Sequence, residues 1–219
     1  TMEQSPDHAL VDLLKNAALA PNLIPPERVV MICKVSKDMR LQMRLAHAPA
    51  VIQVKADQEL TWTVLDAILK VMNWCEVRTI DFSKIKIQTR ERGMLAKVIG
   101  QCATLARLNL NGIWIGAEGA ERLAAVLAQC ASLAHLDLGE NSIGAEGAGM
   151  LAAVLGQCES LAHLGLGGNS IGAEGVGGLA AVLGQCKKLA HLDLNGNEIG
   201  DEGAKKLAAV LAQCASLSH

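Results

Sequence analysis

Histidine recurs at one position of a repeated stretch: His135 in LAHLDLGENSIGAEG, His163 in LAHLGLGGNSIGAEG, His191 in LAHLDLNGNEIGDEG, and His219 at the end of the chain. Two residues further on stand Asp137, Gly165 and Asp193. An imidazole with a carboxylate close by can act as a general base with its orienting partner, or as a pair of metal ligands. The turn LGLGGNSIGAEG comes near the phosphate-binding pattern G-x-G-x-x-G: Gly165 and Gly167 fit, Ser170 takes the third place, and no P-loop lysine is present. Five of the seven cysteines, Cys102, Cys130, Cys158, Cys186 and Cys214, also recur every 28 residues and add candidate thiols.

Spacing separates these chemistries. A metal site or a nucleophile with its base needs groups that converge on one point. Copies at a fixed interval form a row instead, on neighbouring strands about 4.7–4.9 Å apart. Such a row of imidazoles could sense pH through mutual repulsion. It fits better a solvated surface copied along with the rest of the unit, and after that a contact with a partner. The thiols are expected at the far ends of helices, away from the histidines, buried and reduced. No catalytic residue, metal or cofactor is assigned.

The elements that must hold this row follow from the repeat. Leu105, Leu133, Leu161, Leu189 and Leu217 open units that read LxxLxLxxNxIGxxGxxxLAxVLxxC, with small departures. The first half alternates leucines (Leu136 and Leu138, Leu164 and Leu166, Leu192 and Leu194), the period of a half-buried strand. The second half has helical spacing: Leu151 with Leu155, Leu179 with Leu183, Leu207 with Leu211. Neither element buries its apolar face alone, and stacking the units joins the leucines into one core. The core must be aliphatic, since the chain has one Phe, three Trp and no Tyr.

Over about residues 77–219 the pattern resembles the leucine-rich repeats of the ribonuclease-inhibitor type, also found in innate-immune sensors and in the Ran GTPase activator. The resemblance implies an α/β solenoid, a horseshoe arc with a parallel sheet on its concave face and helices on its convex face. Asn141, Asn169 and Asn197 match the family's asparagine ladder, whose amides satisfy backbone groups in the bend after each strand. Ile113 and Ile85 stand where earlier units should have that asparagine, so a differently shaped, apolar bend is expected there. The chain divides into a helical segment over 1–50, degenerate repeats over 51–104 with a strand at 51–54 and a helix at 62–73, and four regular repeats over 105–219 with the start of a fifth. Leu217-Ser218-His219 reads as the opening of another strand, so continuation beyond it is expected.

Within 1–50, SPDHALVDLLKNAALA has helical spacing behind a Ser5 or Asp7 cap, and Pro25-Pro26 opens a second helical stretch. Pro6-Asp7 and CKVSKDMR (33–40) resemble an F-box, with Met39 in the place of that family's aromatic residue. A cap on the solenoid and a recruiting segment that binds a ubiquitin-ligase linker protein through residues 6–46 are both carried forward.

Charge narrows the partners. Residues 1–104 hold 14 Lys/Arg against 11 Asp/Glu, and residues 105–219 hold 6 against 11. Neither half has the dense basic face that nucleic acids require, and no apolar run approaches a membrane span. The expected location is the cytoplasm, with the nucleus open. The expected function is a non-catalytic scaffold binding a protein through its concave face, at Arg107, Asn109, Asn111, His135, Asp137, Glu140, His163, His191, Asp193 and Asn195. Gly139, Gly165, Gly167 and Gly168 are expected to leave the middle of that face flat. Trp114, next to Ile113, fits core burial and partner contact equally. Alternatives are a ubiquitin-ligase substrate adaptor, a small-GTPase regulator and a fragment of an innate-immune-type sensor.

Overall fold

A computed structural model describes residues 29–36, 39–45, 50–54, 59–60, 65 and 77–218, except 213 and 215. The first helix proposed at 5–20, the Pro6-Asp7 signature, His219 and all of 62–73 except Leu65 lie outside the described residues. Strands β1 (Val29–Ser36), β2 (Met39–Leu45), β3 (Ala50–Val54), β5 (Val77–Asp81), β7 (Arg107–Asn109), β8 (His135–Asp137), β9 (His163–Gly165) and β10 (His191–Asp193) form one sheet in that order. β1, β2 and β3 are antiparallel, and every later pairing in this sheet is parallel. Short strands β4 (Glu59–Leu60) and β6 (Lys86–Ile87) pair separately. Helices α1 (Thr89–Gly100), α2 (Gly116–Leu127), α3 (Gly144–Leu155), α4 (Gly172–Leu183) and α5 (Gly200–Leu211) alternate with the later strands.

The second helical stretch expected within 1–50 is instead the antiparallel pair β1–β2. Its residues explain the correction. Val29, Val30, Ile32 and Val35 are β-branched, and Leu41, Met43 and Leu45 alternate with Arg40, Gln42 and Arg44, a period of two rather than 3.6. CKVSKDMR therefore falls across two strands, and residues 29–36 and 39–45 of the recruiting segment drawn over 6–46 are extended rather than helical.

From β5 onward the architecture is an α/β solenoid. Leu108, Leu136 and Leu164 pair in register across β7, β8 and β9 and are at most 1% exposed. Leu123, Leu151 and Leu179 close the core from the helices. A glycine in each helix allows the stack to close. A Cβ on Gly175 would lie 2.5 Å from Ile171 Cγ2 and 2.9 Å from the Ala145 Cα of the preceding helix. The last repeat is looser: Leu192, Leu194, Ile199 and Leu207 are only half-buried, β10 being the sheet's edge among the described residues.

The bends carry the asparagine ladder. Asn169 Oδ1 accepts from the backbone N–H groups of Asn141 (3.0 Å) and Ile143 (3.3 Å) in the preceding repeat. Its Nδ2 donates to the carbonyls of Leu138, Leu166 and Gly167 at 2.8–3.2 Å. Asn197 does the same for Asn169 and Ile171. Asn141 reaches back to Ile113 and Ile115, each at 3.2 Å. The bend at Ile113 is therefore not differently shaped, because the amide that holds it comes from the next repeat. Trp114 (φ 59°) repeats the left-handed backbone of Ser142 (53°), Ser170 (52°) and Glu198 (53°). Ile113 itself is buried.

Candidate functional site

Parallel register places His135, His163 and His191 side by side on β8, β9 and β10, with Arg107 before them on β7. The imidazoles are half-buried and stacked. His135 and His163 have ring centroids 5.5 Å apart with planes inclined by 26°. His163 and His191 are 4.4 Å apart and 2° from parallel. Partial burial, the Arg107 guanidinium and the neighbouring imidazole hold His135 below the usual histidine range. His163 is also lowered, first by burial and then by His191; Asp137 and Asp193 pull the other way without reversing it. These two rings are thus biased toward neutrality, each with one acceptor nitrogen.

The next outward position holds Asn109, Asp137, Gly165 and Asp193, again in register. Asp137 Oδ1 accepts from the Gly139 N–H at 3.0 Å, and Asp193 Oδ1 from the Asn195 N–H at 2.9 Å. Asn109 Oδ1 takes the Asn111 N–H at 3.1 Å, and Asp81 Oδ1 takes that of Ser83, also at 3.1 Å. This position therefore has a structural task, a side chain fastening the backbone two residues on. The structure adds that task to the binding role expected of Asp137 and Asp193. Gly165 alone in the series cannot perform it.

The glycines make a hollow rather than a flat centre. Gly165, Gly167 and Gly168 have no side chains, while Asp137 and Glu140 stand on one side of them and Asp193 and Asn195 on the other. The depression between has a volume of about 390 Å³. His163, His191 and Asn111 complete its polar wall, and Gly196, which no motif singles out, forms part of its rim. Of the ten expected concave residues, seven line this depression; Arg107, Asn109 and His135 lie outside it. Trp114, expected either buried or at a contact, is 68% exposed and also outside it.

The cysteines are elsewhere. Cys130 Sγ donates to the carbonyls of Ile99 and Val126, and Cys186 Sγ to those of Leu155 and Val182, at 3.5–3.9 Å. Burial pushes the Cys130 thiol up to about 11, with Cys158 adding to the effect. Burial likewise raises Cys158 and Cys186. Protonated thiols bonded to helix carbonyls are poor nucleophiles. Among the described residues, no group of three or more His, Cys, Asp or Glu converges to hold a metal ion, and no helix is long and apolar enough to cross a membrane.

Residues 129–152, 157–180 and 185–208 each match the family model described as Leucine Rich repeat. Among solved structures, the chain is similar to the LRR ectodomain of the Arabidopsis receptor kinase HAESA, determined in complex with an N-terminally extended IDA peptide hormone ligand. Identity is 11% over 90% of this chain and 43% of that one, with a TM-score of 0.29, so the chain spans less than half of that ectodomain. Among curated proteins, none matches. The three matched segments and the 28-residue stacking of strand, bend and helix agree: residues 129–208 hold leucine-rich repeats, and the unit before them, from β7 through α2, has the same fold.

Proposed function

We propose that the chain is a non-catalytic protein-interaction scaffold of the ribonuclease-inhibitor-like type, receiving its partner on the concave face. One observation carries this reading. In a unit copied almost unchanged, two departures on the outward side of the strands and bends, Gly165 where the flanking repeats have Asp137 and Asp193, and Glu140 where the others have Gly112, Gly168 and Gly196, meet at one depression. Glu140 occupies a left-handed backbone (φ 54°) that costs a non-glycine residue energy. Buried, protonated thiols such as Cys130 are poor nucleophiles, and a cytoplasmic location would keep them reduced.

Panning a library of displayed linear peptides on the folded chain tests the proposal. Peptides that bind should lose at least tenfold in affinity on a His163→Ala/His191→Ala variant. They should keep their affinity on Ala153→Arg, which alters the exposed side of α3. Loss confined to the Ala153→Arg variant would move the binding face to the helices and overturn the proposal.

A further inference from the structure

The reading above leaves the partner's chemistry open, and the depression narrows it. We propose that the hollow over Gly165 receives the guanidinium of an arginine carried by an extended segment of the partner, an inference that rests on the concave face being the binding surface. Three features of the hollow carry it: its charge, its width and its unused acceptors.

Asp137, Glu140 and Asp193 line the depression, and among the described residues no Lys or Arg does. The half-chain that contains it is acidic as well, with 6 Lys/Arg against 11 Asp/Glu. A cationic group is thus complementary both to the wall and to the surrounding field.

The two aspartates approach the glycine strand from opposite sides. Asp137 is on β8 and Asp193 on β10, so they are separated by two strand spacings, about 9–10 Å. Asp137 Oδ1 lies 2.9 Å from the place a Cβ on Gly165 would take, and Asp193 Oδ2 lies 3.2 Å from the corresponding place on Gly167. The carboxylates lean over a gap that an Asp at 165, as in the flanking repeats, would fill. A planar fork with N–H groups on both edges, each about 2.7–2.9 Å from an oxygen, bridges such a gap. A compact ammonium is a point charge and satisfies one side of it better than both.

Acceptors remain to be used. Oδ1 of each aspartate is occupied by its backbone N–H, whereas no described residue donates to either Oδ2. His163, held toward neutrality chiefly by burial, adds a ring nitrogen at the same wall.

The test uses the whole chain and two five-residue probes, Ac-Ala-Ser-Arg-Ser-Ala-amide and its citrulline twin, which keeps the shape without the charge. Amide NMR shifts of Gly165, Gly167 and Gly168 report occupancy. The arginine probe should shift all three, with the citrulline probe at least tenfold weaker. Asp137→Asn/Asp193→Asn should weaken the arginine probe by tenfold or more and stay folded, because Asn109 already makes the same bond to its bend. Equal binding of both probes at these glycines would overturn the arginine assignment while leaving the concave face as the binding surface. Shifts confined to the helices, or none at millimolar probe, would also overturn it; in the first case the concave reading falls too.

Discussion

His163 and His191, one repeat apart, lie ring on ring with centroids 4.4 Å apart and planes 2° from parallel. Copying has placed two groups of the same potential charge in van der Waals contact, so protonating both would set two cations against each other. The pKa of His163 is lowered in the folded chain, chiefly by burial and then by His191. The unfolded chain therefore binds more protons between the folded value and about 6.5, the free histidine value. Stability is complete above that window and falls as the pH drops through it. Urea unfolding at pH 7.5 and 5.5 should show a loss for the natural chain and a smaller loss for His163→Gln. An equal or larger loss in the variant would show that the stack is indifferent to protonation.

Leu164 is fully buried at the centre of β9, between Leu136 and Leu192. Leu164→Ala should cost about 2–5 kcal/mol, the transfer energy of the lost carbons plus the cavity they leave. Urea denaturation followed by circular dichroism measures this, and a midpoint unchanged from the natural chain would contradict the continuous core.

Removing the Asn169 side chain leaves the N–H groups of Asn141 and Ile143 and the carbonyls of Leu138 and Leu166 with fewer partners in a buried bend. Each unsatisfied buried group costs about 1–3 kcal/mol, so Asn169→Ala should be at least as damaging as a core truncation. Hydrogen exchange should accelerate at the Asn141 and Ile143 amides first. Unchanged protection there would show that the ladder does not hold the preceding bend.

Two helix glycines should respond in opposite directions. Gly175→Ala drives a methyl against Ile171 and Ala145, and overpacking of this kind costs about 1–3 kcal/mol. Gly149→Ala meets nothing within 4 Å on the open side of α3 and should stabilise by about 0.5–1 kcal/mol through helix propensity. Thermal melts of both variants suffice; changes of the same sign would refute the stated packing.

Cys130, Cys158 and Cys186 should react slowly with iodoacetamide at pH 8 in the folded chain, because burial disfavours their thiolates. Labelling in urea should be complete within the same interval. Rapid labelling of all three without denaturant would show that the helix ends are open.

The repeat was legible because its unit is local: alternate leucines, a bend and a helical run return every 28 residues, and parallel register follows from copying. The pair β1–β2 was harder to read. Leu, Met, Lys and Arg in MRLQMRL favour helices intrinsically, and the pairing that overrides them is long-range. The histidine row was legible for the same reason as the repeat. The hollow was not, since its depth depends on how Asp137 and Asp193 lean across a glycine. Nor was the second task of Asp137, a hydrogen bond visible only once the bend has a shape. The reach of Asn141 into the bend of Ile113 was likewise hidden, because the pattern shows which unit owns an asparagine and not which unit depends on it.

That dependence gives the solenoid a direction. Three of the five hydrogen bonds from the Asn197 side chain go to Leu166, Asn169 and Ile171, in the repeat before its own, and two stay at home. Each unit is fastened by its successor, as in a row of tiles where every tile overlaps the last. Loosening that begins at β10 and α5 unties the bend of Asn169 next, then that of Asn141, whereas fraying from the other end leaves the side chains of Asn141, Asn169 and Asn197 in place. The two ends of a nearly symmetric array are thus unequal in what their loss sets free.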